Sequence, residues 1–282
     1  MIRALVVAGL TCFPGASTLA SPPQTRFAPS RDGTRIAYDV SGSGPAIMLL
    51  HGGGQTRKVW HDAGYVDRLA HEFTVITVDL RGNGESDKPV APEAYAIDKV
   101  TDDLLAVADA AGAPRFILWG FSYGANVGRY LAARSDRVAA MVYIGIPFGA
   151  AADGQFRDMI VSMRDKWTPI IAADRAAKLD LRSLSDADRV AWQRGTVPVS
   201  IAWLSAMLAY PPIEPGDVRA PTLWVVGKEN RVALESTQTY RDKLAGSPVT
   251  LFLVDGLNHP QELDAIDRVY PRELEFSQLH KP

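Results

Sequence analysis

An α/β fold with a mostly parallel sheet covered by helices on both faces is what this sequence predicts, and three observations carry that expectation. Continuous apolar runs of strand length alternate with segments of helical period along most of the chain. Gly120-Phe121-Ser122-Tyr123-Gly124 joins one such run to a helix of small residues. Between Pro147 and Gly216 the alternation stops, and helical periods follow one another without a strand.

At 282 residues, 47% hydrophobic and 22% charged, the chain can bury a large core as one extended domain or as a core with an insertion. Its formal net charge is -2. No basic stripe with interleaved aromatics suggests nucleic acid, and no basic amphipathic helix suggests a membrane surface. A neutral or weakly polar small molecule is the natural partner, and the oligomeric state is left open.

Residues 1–20 carry a single charge, Arg3, then the apolar run Ala4 to Leu10 and small residues up to Ala20. This pattern predicts a secretory signal peptide cleaved after Ala20, hence a periplasmic or secreted protein, with a cytoplasmic one as the alternative. The run is too short for a stable membrane anchor. Cys12, the only cysteine, lies inside it, so cysteine usage does not decide the compartment.

Arg31-Asp32-Gly33-Thr34 turns a hairpin whose second strand begins at Arg35. Ala46 to Leu50 is a central strand that ends in His51-Gly52-Gly53-Gly54, a loop whose backbone can approach a ligand closely. It lacks the lysine of a phosphate-binding loop. Phe73 to Val78 is a further buried strand running into the polar stretch Asp79 to Ser86, and Tyr95 to Ala111 has helical spacing.

Arg115 to Trp119 reads as the strand before Ser122, with Ala125, Gly128, Ala132 and Ala133 giving the next helix a face slim enough to lie on a sheet. G-x-S-x-G in this context is a nucleophile elbow, a turn tight enough to exclude bulk at its flanks and to hold the serine in a strained conformation. Val138 to Ile146 is another strand. In the helical stretch, Phe156, Met159, Ile160, Met163 and Trp167 share a face, Ser185 can cap a helix reaching Trp192, and Ile201, Leu204 and Leu208 mark another. Strands resume at Pro221 to Val226 and Val249 to Val254, the last followed by Asp255-Gly256-Leu257-Asn258-His259 and a closing helix. The domain expectation is a core of residues 21–147 and 218–282 and a helical cap of residues 148–217. Trp167, Trp192, Trp203 and Met207 could line a substrate pocket under that cap, although packing of cap on core would bury such residues equally well.

Taken together and in this order, His51-Gly52-Gly53-Gly54, Asp79 to Ser86, the elbow at Ser122 and Gly256-Leu257-Asn258-His259 resemble the α/β-hydrolase family. The resemblance covers nearly everything after Thr25. It implies an eight-stranded sheet with a helical cap after the sixth strand, Ser122 as nucleophile, His259 as general base and then acid, and an oxyanion hole from the backbone N–H groups of Gly53 and Tyr123. The dehalogenase and epoxide-hydrolase branches resemble this chain too, but use aspartate where Ser122 stands.

The third catalytic residue of the family usually follows the seventh strand, and there this chain has Asn230. Asparagine can orient the histidine but brings no charge to an imidazolium, so the neighbouring Glu229 is the slightly favoured partner. Glu235, Asp255, Glu262 and Asp153 are further candidates. No cluster of histidines and carboxylates suggests a metal, and no G-x-G-x-x-G follows a strand to suggest a dinucleotide, so no cofactor is expected. The expected activity is serine hydrolysis of a small carboxylic ester or lactone. Cleavage of a carbon–carbon bond, a cofactor-free peroxidase activity, and a non-catalytic ligand-binding relative are the alternatives.

Overall fold

The computed structural model describes residues 24–282; the leader expected over residues 1–20 lies outside the described residues. Among the described residues eight strands form one sheet: β1 (Arg26–Pro29), β2 (Arg35–Gly42), β3 (Ala46–Leu50), β4 (Thr74–Val78), β5 (Phe116–Phe121), β6 (Val138–Ile144), β7 (Thr222–Gly227) and β8 (Val249–Val254). Their spatial order is β1-β2-β4-β3-β5-β6-β7-β8. Only β2 runs against its neighbours; β3 to β8 are parallel. Strands β3, β5 and β7 are buried at every residue, as expected of strands covered on both faces.

Among the described residues eleven α-helices accompany the sheet. In chain order they are α1 (Lys58–Asp62), α2 (Tyr65–Leu69), α3 (Ile97–Ala110), α4 (Tyr123–Arg134), α5 (Gly154–Arg175), α6 (Asp186–Gln193), α7 (Val197–Met207), α8 (Arg231–Thr239), α9 (Arg241–Leu244), α10 (Gln261–Asp264) and α11 (Ile266–Leu279). Two apolar clusters sandwich the sheet: Met48, Leu50, Leu118, Tyr143 and Trp224 point to the layer of α3 and α4, and Ile47, Leu49, Trp119, Val142 and Val225 to that of α2 and α11. Neighbouring strand residues divide between the two layers, as the period of two requires. Among the described residues no helix is long and apolar enough to cross a membrane.

Helices α5, α6 and α7 fill the excursion between β6 and β7. Its ends meet in a two-way backbone bridge, Gly149 N–H to Ile213 O at 2.7 Å and Ile213 N–H to Gly149 O at 3.0 Å. Tyr210 Oη donates to Tyr95 O (2.6 Å) and ties the end of the excursion to the core. As its sequence suggests, Ser185 caps α6, accepting from Asp188 N–H. The expected common face of α5 is divided. Ile160 and Trp167 are buried, whereas Phe156 and Met159 stay exposed because the first turns of α5 extend beyond the surface that covers the rest.

Two features fix the loops that border the C-terminal ends of the strands. Arg57, almost fully buried, donates to Asp39 (2.7 Å), to Glu85 (2.7 Å) and to Asp79, joining the loop after β3 to the loop after β4. His51 is also buried, and burial pushes its imidazole below the ordinary histidine value. Its Nδ1 lies 2.7 Å from Gly52 O and its Nε2 accepts from Leu80 N–H at 3.1 Å. A neutral ring protonated on Nδ1 satisfies both bonds, so His51 braces the glycine loop and has no free nitrogen for chemistry.

Candidate active site

The elbow follows from contacts that leave no room for side chains. A Cβ on Gly120 would stand 2.6 Å from Ala125 Cα, and one on Gly124 would collide with the carbonyl oxygen of Leu50. Real Cβ atoms do not approach backbone so closely, so both positions are closed to every other residue. Between them Ser122 holds φ 51° and ψ -117°, outside the regions an L-residue normally occupies. The strain turns its hydroxyl out at the end of β5, and the first turn of α4 begins at the next residue.

Ser122 Oγ lies 3.0 Å from His259 Nε2. The imidazole comes from the loop after β8 and is 38% exposed, with its ring stacked on Phe121 at 4.9 Å between centroids and 22° between planes. Its other nitrogen, Nδ1, lies 2.9 Å from Glu262 Oε2. Glu262 sits three residues further on, in the single turn of α10, and is fully buried. Gly227 N–H donates to its Oε1 at 2.7 Å, and Asn230 Nδ2 donates to both carboxyl oxygens at 3.0 Å. Every hydrogen-bond partner of this side chain is thus a donor, with Nδ1 protonated, and serine, histidine and glutamate form one chain.

The glutamate reaches the histidine because Gly145, at φ 81° just beyond β6, leaves the space free. A Cβ there would meet Glu262 Oε2 and stand 2.8 Å from His259 Nδ1. In the sequence that steric signal is only one more glycine near the end of an apolar run.

Two sequence expectations are corrected here. Glu229 is exposed; its backbone N–H is held by Leu257 O, and the inward direction of the loop falls to the next residue. That residue, Asn230, does lie beside the histidine, but its side-chain oxygen is the N-cap of α8, accepting from Ala233 N–H at 3.3 Å, and is not turned to His259. A helix N-terminus has N–H groups with no intrahelical acceptor, and this one claims the oxygen. The amide nitrogen is left to donate to Gly145 O (2.8 Å) and to Glu262. Its 3.4 Å approach to His259 Nδ1 brings two donors together and is no hydrogen bond once Nδ1 carries the proton that faces Glu262. Glu235, Asp255 and Asp153 are all exposed.

Gly53 and Tyr123 meet across the elbow: a Cβ on Gly53 would stand 3.7 Å from Tyr123 Cβ. Among the described residues neither backbone N–H has a protein acceptor. A cavity of about 270 Å³ opens in front of Ser122, bounded by Gly52, Gly53, Gln55, Phe121, His259 and the turn Pro260 to Asp264. Trp167, Trp192 and Met207, expected under the cap as pocket residues, do not border it. Trp167 and Trp192 stack on each other at 6.2 Å, and Met207 belongs to the apolar layer over α4. Packing within the cap and onto the core has used them. Trp203 does not border the cavity either, but its indole packs on Tyr123 at 4.7 Å between ring centroids and lies over Gly53.

The family model described as alpha/beta hydrolase fold matches residues 45–194. An epoxide hydrolase of Siraitia grosvenorii is 31% identical over 121 residues, which make up 42% of this chain and 38% of that protein. The match therefore spans less than half the length of that curated relative. Among solved structures, a thermophilic esterase from Thermogutta terrifontis superposes with a TM-score of 0.66 at 20% identity, over 92% of this chain and 100% of that one. The enol-lactonase from Burkholderia xenovorans LB400 gives 0.65 at 22% identity, over 90% of this chain and 100% of that one. At such identities these likenesses concern the fold.

Proposed function

The chain belongs to the alpha/beta hydrolase fold family, and we propose that it is a serine hydrolase that cleaves a small carboxylic ester or lactone through an acyl-enzyme on Ser122. The observation that carries this reading is the continuous chain from Ser122 Oγ through His259 to buried Glu262, at 3.0 Å and 2.9 Å. In it, His259 Nε2 takes the serine proton as Oγ attacks the carbonyl carbon, and the imidazolium that forms is held by the Glu262 carboxylate at Nδ1. The carbonyl oxygen becomes an oxyanion facing the N–H groups of Gly53 and Tyr123, each worth about 3 kcal/mol in sites of this kind. As the carbon–oxygen bond breaks, His259 returns the proton to the departing alkoxide. In a lactone that alcohol stays tethered to the acyl group. Water, deprotonated by the same nitrogen, then attacks the acyl-enzyme and frees Ser122.

The reading as a ligand-binding relative without turnover rests on a histidine that lacks a charged partner. Glu262 removes that reason. The likenesses to an esterase and an enol-lactonase are consistent with the reaction class, and the small cavity with its modest substrate.

The test is labelling with an alkyl fluorophosphonate, in which the serine oxygen bonds to phosphorus and fluoride leaves. The native protein should be labelled and Ser122→Ala should not, with both unfolding at similar temperatures. Persistent labelling of Ser122→Ala would assign the nucleophile elsewhere, and an inert native protein would return the ligand-binding reading.

A further inference from the structure

Helix α7 presses two side chains, four residues apart and so on one face, onto the loops after β3 and β4. A Cβ on Gly82, in the loop after β4, would stand 3.1 Å from Val199 Cγ1. One on Gly53 would stand 3.0 Å from Trp203 Cη2 and 3.6 Å from Cζ2. The same indole lies 4.7 Å from the ring of Tyr123. Trp203 therefore covers the side of the elbow at which both proposed oxyanion donors stand, while the cavity opens toward Gln55, Pro260 and Leu263.

Acyl transfer fixes which part of a substrate meets which wall. Around the reacting carbon, the oxyanion must face Gly53 and Tyr123, and the departing oxygen must come within reach of His259 Nε2. The leaving group thus extends along His259, Pro260 and Leu263, where the cavity is open. The acyl substituent takes the remaining direction, away from the histidine and under α7. An indole packed on both Tyr123 and Gly53 shortens that direction.

We propose that Trp203 is the end wall of the acyl site and restricts the enzyme to substrates with a short acyl group and a larger leaving group. This rests on the serine-hydrolase reading above. Trp203 acts as a specificity-determining residue and takes no part in proton transfer. Removing its ring opens the space over Gly53, so longer acyl chains gain relative to acetyl. The rest of the cleft, built from core loops, keeps its preference among leaving groups.

The experiment compares kcat/KM for p-nitrophenyl acetate, butyrate, hexanoate and octanoate in the native enzyme, Trp203→Ala and Trp203→Leu. The expected native profile falls by about tenfold or more from acetate to octanoate, a discrimination of the size that hydrophobic walls give. In both variants the octanoate-to-acetate ratio should rise by about tenfold or more, whatever happens to the acetate rate. Trp203→Leu keeps an apolar contact on Tyr123 and stands in should the alanine variant fail to fold. A flat native profile, or variant profiles parallel to the native one while Ser122 still labels, would overturn the wall and leave the hydrolase intact. No labelling and no turnover at any chain length would overturn the hydrolase reading and the wall with it.

Discussion

The two halves of the candidate catalytic chain are built by different kinds of constraint. At the elbow, Gly120 faces Ala125 Cα, Gly124 faces the Leu50 carbonyl, and Ser122 sits at φ 51°. The two glycines are imposed by backbone and admit one residue type, and they flank the strained residue, so the turn writes itself into five consecutive positions. At the histidine the constraint is a competition among side chains. Three groups, Glu229, Asn230 and Glu262, lie within reach in sequence or space. The outcome turns on which of them caps α8, which faces water, and which can be buried against Gly227 N–H. Backbone constraints are local and legible; the placing of a carboxylate depends on a glycine, a helix terminus and a histidine drawn from three loops.

The sharpest way to break this contrast is to move the charge. Glu262→Gln keeps the shape of the side chain but leaves the imidazolium without its anion, and turnover on an activated ester should fall by about 10²–10⁴-fold. Glu229→Gln, altering an exposed side chain, should stay near the native rate. If Glu229→Gln proved the crippling change, the acid would belong to the loop after β7 and the two halves of the site would be equally legible.

A smaller effect concerns Asn230. Asn230→Asp replaces a donor to Glu262 with a second carboxylate about as close, and like charges so near cannot both ionise without cost. Turnover should drop, by about tenfold, where simple restoration of the family's usual acid would have raised it. In the double variant Glu262→Gln/Asn230→Asp the repulsion is gone, and aspartate stands beside Nδ1 with a glutamine able to donate to it. That enzyme should recover about tenfold or more over Glu262→Gln alone. Steady-state kinetics of the four proteins decides it: no recovery in the double variant would mean that Asn230 does not occupy a working acid position.

Much of the core could be read in advance because its strands are buried on both faces and leave unbroken apolar runs, as at Ala46 to Leu50 and Phe116 to Phe121. The elbow was readable for the steric reasons above, and the loop after β3 as a run of glycines at the end of a strand. The excursion between β6 and β7 was readable only as helices. Its periodicity showed that α5 has an apolar face, but Phe156 and Met159 lie on the part that nothing covers. Nor could spacing say that Trp167 and Trp192 would stack on each other while Trp203 reached the elbow. Aromatic residues on neighbouring helices are interchangeable as sequence until the helices are docked.

The smallest effect on catalysis, none, is expected from the second fully buried glutamate, and it sharpens the comparison by isolating what makes Glu262 useful. Glu273 on α11 is as inaccessible as Glu262, yet neither carboxyl oxygen has a hydrogen-bond partner, and the ionisable groups that bear on Tyr65 beside it include Asp264 and Arg68. Burial without donors pushes Glu273 from its ordinary value of 4.5 up to about 8. Between those values the folded chain keeps a proton that the unfolded chain releases. The folded state then binds more protons, so this group's contribution to stability, full below pH 4.5, is lost as pH rises to about 8, at up to about 1.4 kcal/mol per pH unit. Glu273→Gln carries no titratable proton and should flatten that part of the curve, gaining stability over the native protein at pH 8 while its turnover at neutral pH is unchanged. Urea midpoints of both proteins from pH 5 to 9 measure it. Parallel curves would mean that Glu273 finds a donor in solution, and that burial with donors does not distinguish the proposed catalytic glutamate from the other one.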